Sequence, residues 1–198
     1  MTASVRHKIT SPASLWITAA LSLLIASSHA HASVSVAASL DELLRDSTSV
    51  ALVTPLAARA EWQGRRIVTY HRLRVDSSVS GDAPPGEVIV ETLGGQVGNI
   101  AQRVEGEPDF SRGEPALVFL RAGREGALFV TKRGQGQFRL RAAAGRFTLL
   151  RNAELGKLLP ARRGVAPRAE AAVLELHGVA LETAIARIGQ RWGQIHAR

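Results

Sequence analysis

The chain has 198 residues, 45% of them hydrophobic, and carries a formal net charge of +8 with no cysteine. That is enough apolar material for one domain with a core and too little for two large ones. Without cysteine there is no disulfide framework, no thiolate metal site and no cysteine nucleophile, so stability must come from packing.

Residues 1–32 read as a secretory signal peptide. Arg6 and Lys8 form a basic start, an apolar run follows over residues 15–26, and Ala30-His31-Ala32 puts small residues where a signal peptidase cuts. The run is shorter than the roughly 20 apolar residues needed to span a bilayer. The mature chain is therefore expected to be exported to the periplasm or beyond the cell, with no transmembrane anchor after cleavage.

Residues 33–151 read as a β-rich domain entered through a short helix. Ser39 followed three residues later by Glu42 is a capping box, and Leu40, Leu43 and Leu44 share one helical face. From Ser49 to Trp62 the pattern is extended, Pro55 marks an edge or a bulge, and Gln63-Gly64 turns the chain back. From Ile67 to Val75 the residues alternate. Ile67, Thr69, His71, Leu73 and Val75 take one face, Val68, Tyr70, Arg72 and Arg74 the other. The Ser80 to Gly86 segment is a loop by composition.

Val88, Ile89 and Val90 form a β-branched run suited to a strand. Gly94-Gly95 supplies a hairpin turn into a second extended segment over residues 97–104. After a polar stretch comes Ala116-Leu117-Val118-Phe119-Leu120, apolar on both faces and hence a central, buried strand. A turn over residues 123–126 predicts a hairpin with residues 128–131, and Gly134-Gln135-Gly136 a further turn. Phe138 and Leu140 then oppose Gln137, Arg139 and Arg141, the alternation of a strand with one wet face. Phe147, Leu149 and Leu150 predict a last edge strand.

Residues 152–169, rich in Pro, Arg and Ala, read as a linker. In residues 170–198, Leu181, Ile185, Ile188 and Trp192 recur at helical spacing, which predicts an amphipathic C-terminal helix docked on the sheet. The fold class expected is mainly β: a small antiparallel OB-like barrel, a five-stranded Greek key with extra edge pieces, flanked by two helices.

The segments VDSSVSGDAPPG, LGGQVG, FSRGEPALVFL and GQGQFRL, spread over residues 51–141, resemble in spacing a family of uncharacterised secreted bacterial proteins with a small β-barrel domain. The entry of Phe110-x-x-Gly113-Glu114 into the apolar strand resembles, more distantly, the netrin-like OB barrel of metalloprotease inhibitors. Those inhibitors bind zinc through an N-terminal cysteine, which this chain lacks, so the resemblance implies a barrel and not their activity. The nearer family implies no assigned site residues.

No catalytic motif is present, whether HExxH, GxSxG, SxxK or a phosphate-binding loop. His71, His177 and His196 are too scattered to suggest a metal site. No catalytic, cofactor or metal residue is assigned, and no cofactor is expected. Charge carries more information: residues 33–120 hold eight Lys/Arg against twelve Asp/Glu, and residues 121–168 hold twelve against two. A localised basic block is either a solvated face or an anion-binding one. Its best candidates are Arg139 and Arg141, which share a phase on one strand, with Arg72 and Arg74, which share a phase on another. On one side of the barrel, four guanidiniums would grip carboxylates or phosphates bidentately.

The function expected is a non-catalytic secreted or periplasmic binding module whose partner is an anionic envelope polymer or an acidic or protease partner protein. Specific nucleic-acid binding is disfavoured because aromatic interleaving is weak. The alternative is a secreted hydrolase with unidentified carboxylate catalysts. A structural alternative has the acidic half of one copy meeting the basic half of another. The exported protein is expected to begin at Ser33. Intact-mass measurement checks this, and a product retaining Met1 overturns it.

Overall fold

The computed structural model describes residues 34–123, 126–143, 145–160 and 170–197. The expected signal peptide of residues 1–32 and half of the expected linker, residues 161–169, lie outside the described residues. The fold is mainly β, with three helices: β1 (Val34–Val36), α1 (Leu40–Arg45), β2 (Ser49–Gln63), β3 (Arg66–Gly81), β4 (Gly86–Leu93), β5 (Gly95–Val97), β6 (Ile100–Gln102), β7 (Ala116–Ala122), β8 (Leu128–Val130), β9 (Gln137–Ala143), β10 (Arg146–Arg151), β11 (Lys157–Leu159), α2 (Ala172–Glu175) and α3 (Leu181–His196).

Strands β2, β3, β4, β8 and β7 follow one another in space and close on themselves through a β7–β8 pairing, so the main sheet forms a ring. From β7 it extends outward through β9 to β10. The long β2–β3 hairpin turns at Gly64, whose φ of 63° suits a residue without Cβ. Pro55 sits at a register shift in β2, where pairing with β7 has already ended at Val53. Beyond it the strand has an open edge that tolerates a missing N–H.

Two cores sit on either side of this sheet. Inside the ring lie Ala51, Val53, Leu73, Val88, Val90, Ala116, Val118, Leu120 and Val130, capped by Phe110. On the other face, Val50, Leu117, Phe119, Phe138 and Leu149 meet Leu40, Leu43 and Leu44 of α1, Val173 of α2, and Ala184 and Ile188 of α3. β7 is buried on both faces, as its uninterrupted apolar run requires. The Ser39 cap forms as a capping box, with Glu42 N–H donating to Ser39 Oγ and Ser39 N–H donating to Glu42 Oε2. Polar residues fix α3 as well: Arg187 and Arg191 reach Glu175, and Arg191 also reaches Asp41. Among the described residues no helix is long and apolar enough to cross a membrane.

Four expectations need correcting. The pairing is not antiparallel throughout, since β4 meets β8 in parallel at Val90 and Leu128, and β1 meets β11 in parallel. Gly94-Gly95 does not close a hairpin: it kinks the chain from β4 into β5, and the hairpin turn falls at Gly98 between β5 and β6. Glycine is needed there because Gly94 has φ 89° and a Cβ on it would meet Gln102 O at 2.6 Å, while a Cβ on Gly95 would collide with Thr69 Oγ1. The expected linker is ordered over Lys157–Leu159, as the partner of β1. Finally, the expected wet face of β9 is dry where it matters, with Gln137 buried and the Arg139 side chain only 18% exposed.

Phe119 is fully buried and stacks edge-on to Phe138 with ring centroids 6.2 Å apart. Phe119→Ala is expected to cost roughly 3–5 kcal/mol in a denaturant titration, enough to unfold a marginal domain. A loss below about 1 kcal/mol would place Phe119 outside the core.

Candidate functional site

Residues opposite one another in register project to the same side of a sheet, and neighbours along a strand to opposite sides. Leu73 and Val88 face into the ring, so their neighbours Arg72, Ile89 and Arg74 face out. Tyr70 and Glu91, and Arg121 and Phe129, are likewise opposed pairs on the outer phase.

Across this outer surface runs a groove of about 850 Å³. Tyr70 of β3 and Ile89, Glu91 and Leu93 of β4 line it, together with Arg121 of β7 and Phe129 of β8. The β2–β3 turn contributes Gln63 and Arg66, the β7–β8 connection Gly123 and Gly126, and a loop ahead of β7 Glu107 and Pro108.

Each polar group in it has an identifiable setting. The Arg121 guanidinium lies 4.8 Å from the centre of the Phe129 ring, a cation–π arrangement that leaves its N–H edges for a ligand. Among the described residues Arg66 donates to Gln63, at 2.8 and 3.3 Å. Neither arginine has an ion-pair partner among the described residues. Arg133 does, at 3.0 Å from Glu107. It is aimed there by left-handed backbone at both Lys132 and Arg133, φ 52° and 57°, a conformation costing roughly 1–2 kcal/mol for each non-glycine residue. The Lys132–Asp46 ion pair at 2.7 Å and the Gly134 N–H to Gly106 O hydrogen bond hold this bend in place.

Glu107 accepts from the Leu93 N–H at 3.0 Å. Burial pushes its carboxyl above the ordinary range, the Leu93 amide and Arg133 oppose that rise, and nearby Glu91 adds to it. Glu91, opposite Tyr70 in register, is itself only 9% exposed. The groove therefore pairs a basic rim with an acidic floor. No cluster of three or more potential metal ligands occurs among the described residues.

The four arginines singled out from sequence do not come together. Arg72 and Arg74 lie on the outer face of β3, Arg72 directly beside groove-lining Ile89. Arg72 is 3.5 Å from Glu87 and Arg74 is 2.8 Å from Asp76. Arg139 is opposite Ala116, which is opposite Val53, so it belongs to the ring-facing phase, where it reaches Glu114 at 3.1 Å. Arg141 shares that phase further along β9 and is exposed. The two pairs thus lie on opposite faces of the sheet. Sequence reasoning missed Arg66, Arg121, Glu91 and Phe129. Alternation had set Tyr70 on the outer phase with Arg72, and the predicted β7–β8 hairpin could have paired Arg121 with Phe129.

Compared with known protein families, with curated proteins and with solved structures, the chain finds no match.

His71, the other titratable group of interest, faces into the ring. Its Nε2 is 3.0 Å from Thr92 Oγ1, and its ring is 5.0 Å from that of Phe110. Burial lowers its pKa from 6.5 to about 4, against a smaller upward pull from Asp109. For Asp109, burial acts upward, but two hydrogen bonds from Ser111 and the charges of Arg139 and Arg112 hold it below its ordinary value. Between pH 6.5 and 4 the unfolded chain takes up a proton at His71 that the folded chain refuses, so stability present above that window is lost as pH falls through it. The loss is expected to reach about 3 kcal/mol at its acid end. Denaturant titrations of wild type and His71→Gln across the window check this, because the substitution should remove the slope whatever it does to baseline stability. An unchanged slope would exonerate His71.

Proposed function

We propose that this chain is an exported, non-catalytic binding module that takes an anionic polymer in the groove over β3 and β4. The observation that carries the reading is the pair of guanidiniums with no ion-pair partner among the described residues, Arg66 and Arg121, supplied from two different connections to one groove that the Tyr70 and Phe129 side chains also line. A guanidinium with free N–H edges is the group best suited to gripping a carboxylate or phosphate.

Topology supports the same reading. Numbered along the chain, the ring strands β2, β3, β4, β7 and β8 run in the spatial order one, two, three, five, four, which is the Greek-key order of an OB-like barrel. Barrels of that kind bind extended polymers over strands two and three, between the first turn and the connection of strands four and five. The groove here is lined by Gln63 and Arg66 from the first turn and by Ala122, Gly123, Gly126 and Ala127 from the other connection. Export, read from residues 1–32, supplies the compartment in this proposal.

The test is titration of the protein with heparin at about 0.15 M salt and at lower ionic strength. Affinity should fall steeply with salt. Arg66→Ala/Arg121→Ala should weaken binding by at least about tenfold, since hydrogen bonds to charged groups contribute roughly 1.5–3 kcal/mol each. Arg141→Ala, on the other face, should leave it unchanged. Equal binding by all three proteins, or none by the wild type, would remove the groove as an anion site.

A further inference from the structure

In the far half of β2 one strand edge has no partner among the described residues. β2 pairs with β7 only from Ser49 to Val53, and from Thr54 onward its backbone bonds only to β3. The register shifts of β2 all fall before Ala57, and from Ala57 to Gln63 its pairing with β3 is regular. The outer edge of β10 is treated differently: Leu149 N–H donates to Val179 O, and Gly178 N–H donates to Leu149 O. An open, regular edge is a template for another strand, which proteins blunt with lysine, proline or a bulge. Between Ala57 and Gln63 there is none of these, and Ala57, Ala58, Arg59, Trp62 and Gln63 are exposed.

We infer that this edge binds its counterpart in a second copy of the chain, β2 pairing antiparallel with β2 about a twofold axis at Ala60. Such an axis stands normal to the sheet and keeps every side chain on its own face, so the pairing must be centred on a residue. Two separate properties select Ala60. Centring there lays the whole regular stretch on itself, with Ala57 opposite Gln63 at each end. It also sets Arg59 opposite Glu61 twice over, by symmetry, whereas centring on Arg59 or on Glu61 sets that residue against its own copy. Within one chain Arg59 and Glu61 lie 3.0 Å apart with the Arg59 side chain 82% exposed, an ion pair worth little alone and free to be shared across the seam. On the other face Trp62, 47% exposed, comes opposite Ala58, whose small side chain leaves the indole room to lie across the seam. The pairing joins like to like, and not the acidic half of one copy to the basic half of another.

Sedimentation equilibrium of the protein over a range of concentrations tests this. The wild type should show a monomer–dimer equilibrium. Arg59→Glu leaves each chain with two carboxylates at the seam, and Glu61→Arg leaves it with two guanidiniums. Each variant sets like charges opposite one another twice and should dimerise at least about tenfold more weakly. An equimolar mixture of the two variants should recover wild-type affinity as a heterodimer, because each chain then meets the opposite charge at both positions. Recovery also shows that both variants are folded. A disturbance confined to one chain would weaken the mixture as much as either variant alone, and that result overturns the inference. A wild type that stays monomeric at every concentration also overturns it and leaves the edge to a strand of another protein. A dimer indifferent to both substitutions overturns it as well, since the interface then lies elsewhere.

Discussion

Everything in this fold hangs on a strand that is dry on both faces. Within β7, Ala116, Val118 and Leu120 fill the ring while Leu117 and Phe119 press against the helical layer, and each of the five is fully buried. Its edges are equally committed: one pairs with the start of β2, and the other is divided between β9 at Ala116 to Val118 and β8 at Leu120 to Ala122. A strand in this position cannot be adjusted for one core without disturbing the other, because close-packed interiors transmit small displacements. The groove inherits that rigidity, since Arg121 is the first residue of β7 to emerge from the core.

Beside the apolar cores, a small set of buried amides sets the position of the groove's far wall. The Gln137 side chain accepts from Asp109 N–H at 2.8 Å and donates to Asp109 O at 2.7 Å. Asn152 donates to Glu107 O at 2.9 Å and to Gln137 Oε1 at 3.2 Å, and accepts from Glu154 N–H. Each such bond contributes roughly 1 kcal/mol, and leaving a buried partner unsatisfied costs about 1–3 kcal/mol. Together they explain why a long loop without regular structure still delivers Glu107 and Pro108 to a fixed place. The charge asymmetry of the sequence is used in the same way within one molecule. Lys132 meets Asp46, Arg133 meets Glu107 and Arg139 meets Glu114, so part of the basic segment is matched by the acidic one that precedes it.

Legibility followed the range of the interactions involved. The capping box of α1, the apolar stripe of α3 and the double-faced run of β7 depend on neighbours in sequence, and all three were readable there. The groove was not, because its side chains come from separate segments whose meeting depends on ring closure. Alternation identifies the two faces of a strand without saying what covers either. That is why Gln137 and Arg139 were read as solvated: a polar phase looks the same facing water as facing buried polar partners such as the Asp109 backbone. The parallel β4–β8 contact, a single residue pair, leaves no pattern in sequence at all. The φ values of Lys132 and Arg133 are equally silent, since neither residue type favours left-handed backbone.

The weakness of that β4–β8 seam has a consequence for the division of labour among the groove's carboxylates. After Val90, β4 runs on to Leu93 with no further partner from β8. The Leu93 N–H at its end is taken by Glu107 Oε2, so a side chain supplies the acceptor that another strand would have provided. Arg133 then balances the charge that this substitution brings in. Glu107 and Arg133 are thereby spent on closing the ring, and their opposite charges cancel at the groove wall. What the fold leaves without an ion-pair partner among the described residues is the pair of guanidiniums at the rim, Arg66 and Arg121.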